Sequence, residues 1–238
     1  MEGYFKQLES DIRFREGLRA CINCGTCSAI CPAASFYDYD PKKIASQVQT
    51  GNDKIIEDLL KSETIWYCGE CMSCKTRCPR GNTPGLIIMA LRQLSINTGF
   101  FVESEKGRQQ LALKRAIGGN ILKYGYCLHI ETIDPELHPE AGPIWKWIRK
   151  HTEKLFDRLG ANYKKDGPGA LRKIPEADLD EIKKIFDLTG ATERFEKIEK
   201  YSLAKAGKMG YKTSQTSLDP YFMMVFKHNS NNHAKKVV

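Results

Sequence analysis

Eight of the nine cysteines in this 238-residue chain fall into two short runs that share one pattern. Each run reads C-x2-C-x2-C-x3-C-P, and the second run repeats the first at a constant offset. Thiolates at this spacing hold [4Fe–4S] clusters in bacterial ferredoxins. The duplicated motif therefore predicts two [4Fe–4S] clusters and a role in electron transfer. The runs are Cys21, Cys24, Cys27 and Cys31 before Pro32, and Cys68, Cys71, Cys74 and Cys78 before Pro79.

The fourth cysteine of each run is predicted to serve the cluster of the other run. Three cysteines separated by two residues can wrap one cluster on a tight loop. The fourth lies beyond that loop, and in two-cluster ferredoxins it ligates the other cluster. The first cluster is accordingly assigned Cys21, Cys24, Cys27 and Cys78, and the second is assigned Cys68, Cys71, Cys74 and Cys31.

Zinc and disulfide bonds are the alternative uses of these cysteines. Zinc sites made of four cysteines usually contain two separated C-x2–4-C pairs, not four cysteines in one run that ends in proline. Disulfides are typical of small secreted chains, whereas the N-terminus here is charged throughout and lacks an apolar signal segment. The pattern favours iron–sulfur clusters over both, and the protein is expected to remain in the cytoplasm.

The charges near the two runs differ. Glu70, Lys75, Arg77 and Arg80 surround the second run, while Arg19 is the charge closest to the start of the first. Positive charge near a cluster favours its reduced, more negative state, so we predict that the two clusters differ in reduction potential. The alternative is that these are solvated surface charges whose effect is screened by salt.

The segments around both runs have the signals of helices. Asp40 and Thr83, each followed by proline, are helix-start signals, and the second helix is predicted to continue to Gly99. A third helix is expected over residues 103–117, ended by two consecutive glycines. No stretch shows the alternation of a strand. We predict an all-α fold, with an α-helical ferredoxin-like domain for two [4Fe–4S] clusters and a C-terminal helical extension.

The predicted domain organisation has four parts. An α-helical ferredoxin domain spans residues 1–120, and an irregular linker rich in proline and glycine spans 121–142. A helical extension follows over 143–228, and a flexible tail over 229–238. The apolar stretch at residues 221–226 is expected either to pack on its own domain or to dock onto a partner.

Other functions lack support in the sequence. The net charge is +8, but the basic residues are scattered and form no dense patch, so nucleic-acid binding is not expected. No apolar run is long enough for a membrane span, and no nucleotide-binding motif occurs. The remaining cysteine, Cys127, is expected to be a small buried hydrophobic residue.

The motifs resemble those of the C subunit of heterodisulfide reductase. The resemblance rests on ACINCGTCSAICP at residues 20–32, YDYDPKKI at 37–44 and WYCGECMSCKTRCPRG at 66–81, and it covers about residues 15–100. The C-terminal region exceeds the usual length of the methanogen protein. In length the chain is more similar to the C-type subunit of the heterodisulfide reductase-like complex of sulfur oxidisers.

The resemblance implies a place in a larger complex. In this family, the C-type subunit carries electrons between a flavin- and cluster-containing A-type subunit and a B-type subunit with CCG-type sites for disulfide or sulfur chemistry. The chain has no adjacent pair of cysteines, so it is expected to relay electrons without catalysing the reaction. The direction of electron flow stays open.

Two other interpretations remain. The helical two-cluster domain also resembles parts of succinate, glycerol-3-phosphate and glycolate dehydrogenases, which usually add a plant-type ferredoxin domain or CCG repeats. A purely structural use of the clusters is the second alternative, although one cluster would suffice for it.

Overall fold

The computed structural model describes residues 2–214 and 219–227. These residues form helices, turns and loops without a strand, as the sequence pattern predicts. No helix among them is both long and apolar enough to cross a membrane. The predicted flexible tail over 229–238 lies outside the described residues.

The chain forms two compact units that divide between Arg108 and Gln109. This division falls before residue 120, where the sequence suggested the end of the first domain. The helices of the first unit are α1 (Tyr4–Ser10), α2 (Ile12–Gly17), α3 (Thr26–Ala29), α4 (Pro32–Phe36), α5 (Pro41–Gln49), α6 (Asp53–Lys61), α7 (Pro84–Thr98) and α8 (Glu105–Arg108). Short 3₁₀ turns occupy Thr64–Trp66 and Phe100–Glu103.

Helices α5 and α6 start at side-chain caps. The Asp40 carboxylate accepts hydrogen bonds from the backbone N–H groups of Lys42 and Lys43 at the start of α5. The Asn52 side chain caps α6 in the same way. Each cap satisfies N–H groups that lack a partner inside the helix and contributes about 1 kcal/mol. The predicted start of α5 is confirmed.

Helix α7 is the centre of the first unit. It packs against α1, α2, α5 and α6, and its buried residues occur on nearly every side, as is typical of a helix inside a core. It ends at Gly99, whose φ of 81° is the left-handed conformation of a helix C-cap. Side chains with no exposed surface in this core are Val48, Ile56, Leu60, Ile65, Ile87, Ile88 and Leu91.

The second unit contains the remaining helices, which enclose a second core. Within it the apolar helix α15 packs against α9, and its Tyr221, Phe222 and Val225 are buried. The structure thus places this apolar segment against its own unit. The helices are α9 (Gln110–Leu113), α10 (Gly119–Tyr124), α11 (Ile144–Lys150), α12 (Thr152–Arg158), α13 (Glu176–Leu188), α14 (Ala191–Lys208) and α15 (Pro220–Lys227).

The prediction that a helix stops at Gly118-Gly119 is wrong. A π-helical turn over Lys114–Gly118 leads directly into α10, which continues to Tyr124. A Cβ atom at Gly118 would lie 2.4 Å from the ring of Phe195. The glycine therefore permits close packing against this aromatic ring and does not mark a helix end.

The segment suggested as a linker, residues 121–142, contributes to the second core. His129, Ile130 and Leu137 are buried, and the side chain of Asn120 donates hydrogen bonds to the Cys127 carbonyl and the Thr132 hydroxyl. The high proline and glycine content of this segment produces turns inside a compact unit.

Candidate metal centre

The first unit contains a cavity surrounded by four cysteines. Three of them, Cys21, Cys24 and Cys27, belong to the first run, and the fourth is Cys78 from the second run. We call this the first cavity. Its lining also includes Lys42 and Arg80.

A second cavity has the complementary lining. Cys68, Cys71 and Cys74 come from the second run, and Cys31 comes from the first. The two cavities are similar in size, so they suit groups of the same size. The eight thiols predicted to act as ligands therefore lie in two sets of four, and each set takes its fourth member from the other run.

The loops that carry the first three cysteines of each run have the same unusual backbone. Asn23 and Gly25 in the first loop have φ values of 62° and 81°, and Glu70 and Met72 in the second have 53° and 57°. These are equivalent positions in the repeat. A left-handed conformation is costly for residues other than glycine and concentrates at functional sites. Here it bends each loop so that its cysteines border one cavity.

Backbone contacts fix the first cysteine of each run. The Gln49 side chain at the end of α5 accepts a hydrogen bond from the Cys21 N–H at 2.6 Å and donates one to the Cys21 carbonyl at 3.3 Å. On α7, Arg92 donates to the carbonyls of Ile65 and Cys68 at 2.7 and 2.6 Å. The guanidinium also pairs with Glu70.

Sequence reasoning did not identify Gln49 or Arg92. Gln49 gives no signal in the sequence, because a glutamine near a helix end is common. Arg92 does give one, since it is the only charged residue in the otherwise apolar and polar helix α7. A lone charge on a buried helix needs partners, and here its partners are mainly the loop that leads into the second run.

The second cysteine of each run lies at the surface and contacts a hydroxyl group. The Cys24 sulfur is 3.4 Å from the Thr26 hydroxyl, and the Cys71 sulfur is 3.3 Å from that of Ser73. These hydrogen bonds lower the pKa of both thiols. A lower pKa favours the thiolate, which is the form that binds metals.

The third cysteine of each run is half-buried and lines its cavity. Burial raises the pKa of Cys27 and Cys74. At the start of α7, Pro84 lines the first cavity and the next residue, Gly85, lines the second. The two cavities therefore adjoin at the start of α7.

The residues present fit a group larger than one ion. Four thiolates on a zinc ion at about 2.3 Å would lie only about 4 Å from one another. Among the described residues, no three His, Cys, Asp or Glu side chains are arranged to hold a single metal ion. The thiols instead surround a space, and the Glu70 N–H donates to the Cys68 sulfur at 3.4 Å. This arrangement fits an iron–sulfur cluster.

Cys127 takes no part in either cavity. It lies in the second unit and is exposed, so the expectation that it is buried is wrong. The turn that follows α10 leaves its thiol facing solvent, although its carbonyl accepts a hydrogen bond from Asn120.

A helical unit in which a repeated motif builds two four-cysteine cavities is typical of iron–sulfur proteins of the ferredoxin class. Residues 17–82 match the family described as the 4Fe-4S dicluster domain, and this range includes all eight cysteines of the two runs. The protein is therefore an iron–sulfur electron-transfer protein.

The relatives specify the family more closely. The chain is 34% identical over 201 residues to the C subunit of the ferredoxin:CoB-CoM heterodisulfide reductase of Methanosarcina acetivorans, with 84% of this chain and 73% of the relative covered. It is 31% identical over 157 residues to an iron-sulfur C subunit of the CoB–CoM heterodisulfide reductase of Methanocaldococcus jannaschii, covering 60% and 77%. The C subunit of the H(2):CoB-CoM heterodisulfide,ferredoxin reductase of Methanothermobacter marburgensis is 28% identical over 176 residues, covering 74% and 76%. The chain belongs to the family of heterodisulfide reductase C subunits, as the resemblance of the motifs suggested.

Proposed function

We propose that this chain holds two [4Fe–4S] clusters and relays electrons as the C-type subunit of a heterodisulfide reductase-type complex. The observation that supports it most directly is the division of the eight thiols between two adjoining cavities. The first cluster is assigned Cys21, Cys24, Cys27 and Cys78. The second is assigned Cys68, Cys71, Cys74 and Cys31.

The chain's own residues give this relay its two ends. Each cluster, when bound, supplies a carrier for one electron. The exposed Cys24 and Cys71 leave an edge of each site at the surface, where a redox partner can approach. Cys27 and Cys74 are less exposed than these two cysteines.

The proposed partners are the other subunits of such a complex. A flavin-containing A-type subunit and a CCG-type B subunit would stand on the two sides of the relay, and the CCG-type partner would act on the disulfide or sulfur substrate. The relatives are named as C subunits of heterodisulfide reductases, which supports a hetero-oligomer over a free ferredoxin. We place this complex in the cytoplasm.

The length of the chain does not favour the sulfur-oxidising complex. The alignment with the Methanosarcina acetivorans protein covers 84% of the chain. The alignment must therefore extend well into the C-terminal region. A C-terminal region of this length is thus not specific to the complex of sulfur oxidisers. The proposal accordingly names the heterodisulfide reductase type in general.

The test is anaerobic purification of the tagged protein from its native host, with identification of every protein that remains bound. Recovery of a flavoprotein and a CCG-rich protein is the expected result. Recovery with a quinone-linked dehydrogenase, or alone with clusters that dithionite cannot reduce, would contradict the proposal. Iron and acid-labile sulfide are measured on the same sample, with two [4Fe–4S] clusters per chain expected.

A further inference from the structure

The two cavities differ in the charge of the side chains around them. Besides its cysteines, the first is lined by Lys42 and Arg80, by the polar Thr26 and Asn82, and by glycine and apolar residues. The second is lined by cysteine, proline, alanine, tyrosine, glycine, methionine and serine, and by no charged side chain. The motif is repeated, but the electrostatic environment is not.

Nearby ion pairs increase this difference. Beside the second cavity, Arg92 pairs with Glu70, so the two charges offset each other. Beside the first, Lys42 has only a long contact of 3.9 Å to Asp40. Arg80 is exposed and has no acidic partner among the described residues. The positive charge at the first cavity is therefore largely uncompensated.

The position of Arg80 follows from the exchange of the fourth cysteine. Arg80 directly follows the second run in the sequence, and the charge pattern alone suggested that it surrounds the second cluster. Cys78 lines the first cavity, and Arg80 lies only two residues after it in the chain. Arg80 therefore lines the first cavity as well. The guanidinium of Arg19 also lies beside Gly81. It is 3.9 Å from the position that a Cβ atom would occupy if residue 81 had a side chain. The fold thus gathers positive charge at the first site.

We propose that Lys42 and Arg80 hold the reduction potential of the first site above that of the second. This inference rests on the proposed function. A cluster becomes more negative when it accepts an electron, so nearby positive charge stabilises its reduced state. Electron transfer from the second site to the first oxidises the second cluster by one electron and reduces the first cluster by one electron. No bond is formed or broken. The first site is therefore the electron acceptor within the chain.

The test is a redox titration of the full-length, cluster-loaded protein, followed by electron paramagnetic resonance. We expect two resolved reduction waves. Arg80→Gln should lower the upper wave and leave the lower wave unchanged, and the electron partition between the sites should change severalfold. Lys42→Gln should act in the same direction. High salt should reduce the effect of Arg80→Gln, because this charge is exposed.

Arg77→Gln is the matched control. Arg77 is an exposed arginine of the same run that lines neither cavity, so its replacement should leave both waves in place. Equal waves in the unaltered protein, a shift of the lower wave in Arg80→Gln, or an equal effect of Arg77→Gln would each overturn the inference. A protein without two reducible clusters would instead contradict the proposed function, and iron analysis separates the two failures.

Discussion

The two cavities are copies that share a framework and differ in their surroundings. In each, two left-handed residues bend the loop, a hydroxyl contacts the second cysteine, and a side chain anchors the backbone of the first cysteine. The anchor is the neutral Gln49 in one and the charged Arg92 in the other. The repeat thus preserves what positions the thiols, while the charged residues on α5, α7 and the Cys78 loop differ between the two cavities.

The largest expected effect is the loss of one cluster. Cys78→Ser should remove the same spectroscopic signal as Cys21→Ser, because both thiols line the first cavity. Cys31→Ser should instead match Cys68→Ser. Iron content and electron paramagnetic resonance of the reduced proteins measure this, and the exposed Cys127→Ser serves as the control with both signals intact. If Cys78→Ser matched Cys68→Ser, the exchange of fourth cysteines would be disproved.

Replacement of the charged anchor should weaken only the second site. Arg92→Met removes hydrogen bonds to the carbonyls of Ile65 and Cys68 and leaves Glu70 without its partner. Hydrogen bonds to charged groups contribute about 1.5–3 kcal/mol each, so for the two bonds we expect a loss of roughly 3–6 kcal/mol in stability. The rate at which a chelator removes iron from each site is the measurement.

The matched variant for the first site is Gln49→Leu. It should accelerate iron loss from the first site, and by a smaller factor, because Gln49 is neutral and exposed. If both variants accelerated loss from both sites equally, the two anchors would not be specific to their cavities.

Tyr39 distinguishes the second cavity in a different way. This tyrosine is 5% exposed and lines that cavity. Burial and the neighbouring Cys68 raise the pKa of its hydroxyl well above the ordinary value, so it remains a hydrogen-bond donor. Hydrogen bonds to cluster sulfurs raise the reduction potential. A bond of about 1 kcal/mol corresponds to about 40 mV for one electron.

Tyr39→Phe should therefore shift the midpoint potential of the lower wave by up to about 40 mV to more negative values. The upper wave should stay in place. A redox titration measures both, and Tyr37→Phe is the control, because Tyr37 stacks on Tyr67 and lines neither cavity. A shift of the upper wave in Tyr39→Phe would contradict this assignment.

The smallest expected effect concerns the hydroxyl groups at the exposed cysteines. Thr26→Val and Ser73→Ala each remove one contact to a surface thiol. Water can replace part of each contact at the surface, so each variant should lower one wave by less than Tyr39→Phe does. The two variants should act on opposite waves. Identical shifts of one wave would show that the contacts do not belong to separate sites.

Much of the local structure could be predicted from short-range signals. The cap at Asp40 and the stop at Gly99 depend on residues within one turn of the helix, so they are recognisable in the sequence. The end predicted at Gly118-Gly119 failed because the first of these glycines serves a distant contact with Phe195. A short-range pattern cannot distinguish a glycine that ends a helix from a glycine that allows an aromatic ring to pack closely against the helix.

The order and spacing of the cysteines determined by themselves that this chain carries ferredoxin-type motifs, because loop geometry within eleven residues depends on little else. The family resemblance is contained in the same segments. The tertiary structure alone decided which charges stand beside which cavity. Arg80 follows the second run in the sequence but lines the first cavity, because a chain that exchanges its fourth cysteine also exchanges the residues attached to it.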